Sequence, residues 1–178
     1  MDIRRRNFLR GRFSKKDSII LMPWVNDRAT FHATCTRCSD CLKACPEGIV
    51  GSDADGYPGI DFRKGECTFC GQCTKVCSHN LFEEDLARPP WDFVATLSDQ
   101  CLTQNNIACQ SCQDICEQRA IRFHYSVGKV PQPNIVTTNC SGCGACVAVC
   151  PASSISILSA SAAPNLTTIK QQGQIHVG

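Results

Sequence analysis

The sequence has no long apolar run. No stretch of its 178 residues approaches the ~18–20 consecutive apolar residues that cross a bilayer, so no membrane span is expected. Aromatic residues are scarce, at 7% of the chain. Setting Cys aside leaves an apolar share of roughly 34%, below the usual share for a globular domain. A single conventional hydrophobic core is therefore not expected. Signatures of substrate chemistry are missing too. No P-loop, nucleophile motif or flavin fingerprint occurs, and His32, His79, His124 and His176 have no partner pattern. These absences argue against an enzyme and leave open what holds the chain together.

What is abundant is cysteine: 16 residues, about 9% of the chain. Cysteine at this density means either disulfides, which suit an oxidising compartment, or metal and iron–sulfur ligation, which suits the cytosol. The spacing separates the two. The cysteines fall into four groups: Cys35, Cys38, Cys41, Cys45; Cys67, Cys70, Cys73, Cys77; Cys101, Cys109, Cys112, Cys116; and Cys140, Cys143, Cys146, Cys150. Three groups read C-x2-C-x2-C-x3-C, and the first and last are followed by Pro46 and Pro151. The third reads C-x7-C-x2-C-x3-C, its first Cys pushed back by five residues. Groups also pair: the last Cys of the first pair maps onto the second at offsets of 71 and 73 residues. The chain reads as a duplicated unit of about 70 residues, each unit a double motif.

The run C-x2-C-x2-C-x3-C-P is the bacterial ferredoxin pattern for cubane 4Fe-4S clusters, in which the fourth Cys of each motif ligates the other cluster. Three thiolates within seven residues wrap three corners of a small cube, and the fourth comes from the partner motif. By that rule the sets are Cys35, Cys38, Cys41 and Cys77; Cys67, Cys70, Cys73 and Cys45; Cys101, Cys109, Cys112 and Cys150; and Cys140, Cys143, Cys146 and Cys116. No Cys is left over. Crowded i, i+3 spacing suits a cube better than long-range disulfides, and zinc sites use two well-separated C-x2-C pairs. Cys101 is assigned as a ligand on a longer loop; the alternative is a three-Cys, labile third cluster.

The segments between the groups point to an α+β fold: tandem bacterial dicluster ferredoxin-like units with short strands and helices around four 4Fe-4S clusters. Asp55-Gly56 is a tight-turn dipeptide and predicts a hairpin with a strand over residues 57–62. Residues 120–125 alternate as a strand, residues 134–138 are its partner after a turn at Gly128, and residues 155–158 close the unit. Short helices are expected near residues 40–45, 72–77, 111–116 and 145–150. Residues 83–98, with Glu83-Glu84-Asp85 and Arg88-Pro89-Pro90-Trp91, read as the linker. The expected organisation is a basic arm over 1–29, unit one over 30–90, unit two over 91–160 and a flexible Ser/Ala/Thr/Gln-rich tail over 161–178. Gly142-Cys143-Gly144 lacks the third glycine of a dinucleotide loop, and Asp53 with Asp55 lacks the rest of a calcium loop. Ordinary packing is expected of Trp24 and Trp91.

Charge is uneven. Residues 1–16 carry Arg4, Arg5, Arg6, Arg10, Arg12, Lys15 and Lys16 against Asp2, whereas the remainder has 11 basic and 15 acidic residues. Arg5-Arg6-Asn7-Phe8-Leu9-Arg10 resembles the twin-arginine export consensus. An export signal would continue into an apolar stretch and a small-residue cleavage site. Here Gly11 to Asp17 follow, and the apolar residues 19–25 are few, carry Pro23 and lack Ala-x-Ala. The segment reads as a non-exported arm for an acidic protein surface. A short basic arm without a reader fold is a weak nucleic-acid signal, so no nucleic-acid partner is expected.

The arm from Arg5 to Arg12, Pro23-Trp24, Gly56-Tyr57-Pro58, the displaced Cys101 and Cys109-Gln110-Ser111-Cys112-Gln113-Asp114 together resemble the NapF family, the ferredoxin-type proteins of periplasmic nitrate reductase systems. The likeness runs over about residues 4–158. It implies a cytoplasmic accessory protein, not an enzyme, with four 4Fe-4S clusters on the 16 cysteines. It further implies action on the molybdenum catalytic subunit before export, by cluster insertion or redox activation. Arg4, Arg5, Arg6, Arg10 and Arg12 are the candidate partner-binding residues. The alternative is an electron-transfer polyferredoxin relaying electrons between redox partners.

Overall fold

The computed structural model describes residues 20–83 and 85–163. The candidate partner-binding arginines Arg4, Arg5, Arg6, Arg10 and Arg12 lie outside the described residues, as does the tail from residue 164.

Unit one opens with helix α1 (Arg28–Thr34), capped by Asp27, whose carboxylate accepts from the Thr30 amide at 2.8 Å. Hydrogen bonding from the Thr30 side chain, and after it from the Thr30 amide, favours the charged carboxylate and holds the Asp27 pKa below its ordinary value. One turn, α2 (Asp40–Ala44), follows, then the antiparallel hairpin β1 (Val50–Ser52) and β2 (Pro58–Ile60), then α3 (Gln72–Lys75). The residues that suggested a calcium loop make the hairpin turn instead. The Asp53 carboxylate accepts from the amides of Asp55 at 2.9 Å and Tyr57 at 2.8 Å, a local arrangement that short acidic side chains favour.

The boundary expected at residue 29 falls inside this unit. Leu21, Met22 and Trp24 are buried, Ile20 bridges Ile60 and Val25 bridges Phe82. Residues 20–25 pack along the edge of the unit, with the Asn26 amide donating to the Leu81 carbonyl at 3.0 Å and the Glu83 amide to the Trp24 carbonyl at 2.7 Å.

Unit two repeats the plan with two two-stranded sheets. Strand β3 (Phe93–Leu97) pairs antiparallel with the closing strand β6 (Ile155–Ser159), with Ala95 opposite Ile157. Between them lie α4 (Ser111–Asp114), the hairpin β4 (Ile121–His124) with β5 (Gln132–Ile135), and α5 (Ala145–Ala148). Residues 93–97 are therefore not linker. The acid run and Pro89-Pro90 read as a connector, but Phe93, Val94 and Ala95 follow them directly and bury Val94 and Ala95 as the partner of β6. The expected strand at 134–138 starts and ends earlier, because residues 137–139 turn into a 3-10 helix leading to Cys140.

The two units meet on an aromatic joint. The Trp91 ring stands edge-on to Phe62 (6.1 Å), Phe69 (5.4 Å) and Phe93 (5.6 Å), and its indole N–H donates to the Ser141 carbonyl at 2.9 Å. Phe62 of unit one lies directly on Gly144 of unit two, so that a Cβ at Gly144 would fall within the Phe62 ring. Gly144 also has φ +84, a conformation that costs other residues about 1–2 kcal/mol. Gly144→Ala is therefore expected to combine left-handed strain with overpacking of about 1–3 kcal/mol. Its midpoint in anaerobic guanidinium denaturation should fall well below that of the unsubstituted protein. An unchanged midpoint would contradict the Phe62 contact.

Candidate iron–sulfur centres

Among the described residues four cavities are lined by thiols. The first is bounded by Cys35, Cys38, Cys41 and Cys77, with His79 on its wall. The second is bounded by Cys45, Cys67, Cys70 and Cys73, and the third by Cys101, Cys109, Cys112 and Cys150. The fourth holds Cys116, Cys140, Cys143 and Cys146 and is also reached by Cys67. Each cavity takes three thiols from one motif and one from the motif paired with it, and the fourth adds Cys67 from across the joint. The fourth extends across the joint to Glu66, Thr68 and Phe69.

Local backbone explains how three thiols share a wall. In motifs one, two and four the residues on either side of the middle Cys are left-handed: Arg37 and Ser39, Phe69 and Gly71, Gly142 and Gly144. This double reversal folds the loop around its own sulfurs and then starts the short helix carrying the third Cys. The third motif lacks it; Gln110, the cap of α4, has φ −134. There the first thiol need not be wrapped in from the same loop, because Cys101 enters from a separate segment. That segment is firmly held. Cys101 is buried, the Thr103 hydroxyl lies 3.2 Å from its Sγ, Asn105 donates to the Cys101 carbonyl at 2.9 Å, and Gln132 donates to the Thr103 carbonyl at 2.8 Å. The fourth Cys of each motif in unit two is followed by a common turn. Arg119 and Ser153 take positive φ, and the next amides, of Ala120 and Ser154, donate to the Cys116 and Cys150 sulfurs at 3.3 Å.

Electrostatics make these thiols reluctant anions on their own. Burial pushes Cys41, Cys67 and Cys112 up to about 11, with the neighbouring thiols of the same cavity adding to the effect. Cys73 and Cys146 are pushed up to about 12 by burial and then by crowding from other thiols. Burial also raises Cys143. Cys150 goes the other way: burial raises it, but the Ser154 hydroxyl and the amides of Ser154, Ala152 and Ile155 outweigh that and lower it. Thiolate, not thiol, is the metal ligand, so buried sets of four thiols call for a strongly cationic guest. Among the described residues no group of three or more His, Cys, Asp or Glu side chains is disposed to hold a single metal ion. A tetrahedral zinc site draws four sulfurs to about 4 Å from one another; a cube of four irons needs a wider set. The donor chemistry fits a 4Fe-4S cluster.

Two 4Fe-4S dicluster domain signatures match the chain, at residues 34–82 and 107–154. This defines the class: an accessory iron–sulfur protein of two tandem dicluster ferredoxin domains, together implying four clusters. The second match begins beyond Cys101, the displaced residue. The curated "Ferredoxin-type protein NapF" of Escherichia coli (strain K12) is 40% identical over 155 residues, covering 87% of this chain and 94% of that protein. The protein of the same name from Haemophilus influenzae is 42% identical over 165 residues, covering 86% of this chain and 92% of its own length. The chain belongs to the family of NapF ferredoxin-type proteins. No solved structure matches it with significance. No helix among the described residues is long and apolar enough to cross a membrane.

Sequence reasoning missed the residues that seat the thiols. Thr103 and Ser154 carry no pattern of their own, and the left-handed Arg37 and Phe69 are residue types that rarely advertise that conformation. A usable signal was Ser39, Gly71 and Gly144 directly after the middle Cys, all small residues.

Proposed function

We propose that the four thiol sets ligate four 4Fe-4S clusters. In this reading Cys35, Cys38, Cys41 and Cys77 hold the first cluster, and Cys45, Cys67, Cys70 and Cys73 the second. Cys101, Cys109, Cys112 and Cys150 hold the third, and Cys116, Cys140, Cys143 and Cys146 the fourth. The protein acts in the cytoplasm on the catalytic subunit of a periplasmic nitrate reductase before export, helping to install or reduce that subunit's own cluster. The basic arm, with Arg4, Arg5, Arg6, Arg10 and Arg12, docks on an acidic surface of the partner. The observation that carries this reading beyond the family likeness is the exposure of Cys38 and Cys70, one thiol on each cavity of unit one. A cluster held by a solvent-reached thiol can be approached by an acceptor's thiolates through ligand exchange. Anaerobically loaded protein should bind the cluster-free catalytic subunit and restore its cluster absorbance. Substituting the five arginines should abolish binding while leaving iron content unchanged. Failure to bind, or binding that survives the loss of the arginines, refutes the assignment.

One observation favours a second reading, an electron relay between redox partners: the second and fourth cavities share a wall. Reversible reduction of all clusters without transfer of iron to the catalytic subunit would select it.

A further inference from the structure

Cys67 belongs to the second thiol set, yet it also lines the fourth cavity beside Cys116, Cys140, Cys143 and Cys146. Its amide donates to the Cys143 carbonyl at 2.8 Å, a backbone hydrogen bond across the joint between the units. Thr68 and Phe69 beside it also line both the second and the fourth cavities. Inside unit one α2, which carries Cys41 of the first set, packs against α3, which carries Cys73; inside unit two α4, which carries Cys112 of the third set, packs against α5, which carries Cys146. The first cavity, in contrast, is lined only by residues of unit one, and the third only by residues of unit two. The joint is held by Phe62 on Gly144 and by Trp91 between Phe69 and Phe93.

We propose that the four clusters form one linear electron path in the order first, second, fourth, third, and that the Cys67–Cys143 contact is the crossing between units. The path rests on the ligand sets proposed above and is independent of the nitrate reductase partner. In the crossing step one electron leaves a reduced 4Fe-4S centre of the second set, which returns from the 1+ to the 2+ state. The fourth centre goes from 2+ to 1+; no bond is made and no proton moves. The electron is supplied by a low-potential one-electron donor, dithionite in the experiment. The two outermost sets, first and third, then lie at opposite ends of the path, so that a donor and an acceptor can be engaged at once.

The test removes clusters in pairs. The chain with Cys35→Ala, Cys38→Ala, Cys109→Ala and Cys112→Ala keeps the second and fourth sets and should hold about 8 irons. Fully reduced, it should give a spin-coupled electron paramagnetic resonance signal. The chain with Cys67→Ala, Cys70→Ala, Cys140→Ala and Cys143→Ala keeps the first and third sets and should give two independent signals. Uncoupled signals from the former, or coupled signals from the latter, overturn the order. The intact protein reads the same crossing without losing a cluster. After flash reduction, electron equilibration between the units should slow at least tenfold in Phe62→Ala with Trp91→Ala, at unchanged iron content. An unchanged rate overturns the crossing. A low iron count in the unsubstituted protein would instead count against the ligand sets.

Discussion

Replacing Cys35 and Cys77 together should remove one cluster, and replacing Cys35 and Cys45 together should remove two. Anaerobically purified protein should carry about 16 irons per chain, the Cys35→Ala, Cys77→Ala protein about 12, and the Cys35→Ala, Cys45→Ala protein about 8. Cys35 and Cys45 are sequence neighbours within one motif, whereas Cys35 and Cys77 stand 42 positions apart. A motif that kept its four thiols for its own cluster would give the reverse result. The expectation rests on the walls of the cavities, where Cys77 faces Cys35, Cys38 and Cys41, and Cys45 faces Cys67, Cys70 and Cys73. Because the double replacements delete two thiols in either case, the difference between about 12 and about 8 irons isolates which thiols share a cluster from any general loss of stability. Iron and acid-labile sulfide, measured on the same samples, should fall in step. Equal losses from the two proteins would refute the crossed sets.

Legibility followed the range of the interactions. The thiol groups could be read because ligand spacing is local and repeats four times, and β4 could be read because Ile121 and Phe123 alternate with exposed Arg122 and His124. Strand β3 was hidden because its pairing partner, β6, lies about 60 residues away, and nothing near Pro89-Pro90 announces it. Residues 20–25 were hidden for a related reason. Pro23 makes a poor strand or helix, but a single bridge at Ile20 and another at Val25 need neither, and burial of Leu21, Met22 and Trp24 does the rest. The joint was beyond reach altogether. Gly144 looks like any small residue after a ligand Cys until Phe62, 82 positions earlier, is found lying on it.

Stripping the iron should unfold the protein. Chelation under anaerobic, reducing conditions is expected to abolish the far-ultraviolet circular dichroism of the short helices and strands, and reloading iron and sulfide should restore it. The helices among the described residues have four to seven residues each. Isolated helices shorter than about 12 residues do not hold in water. The sheets have two strands each, and a lone hairpin is marginal as well. Tertiary packing must supply the difference, yet the packing around the buried cluster of side chains draws on Cys35, Cys41, Cys45, Cys67, Cys73, Cys77, Cys112, Cys116, Cys140 and Cys150 as its inner wall. These thiols line the cavities, where the proposed clusters would be their partners. Metal binding in such a chain is folding free energy, as in small structural metal domains. The exposed Cys38 and Cys70 sharpen the expectation: the first and second clusters should be the first removed by chelator, and unit one should lose protection from amide exchange before unit two. A chelated protein that kept its circular dichroism, or in which unit two opened first, would show that the apolar residues alone carry the fold.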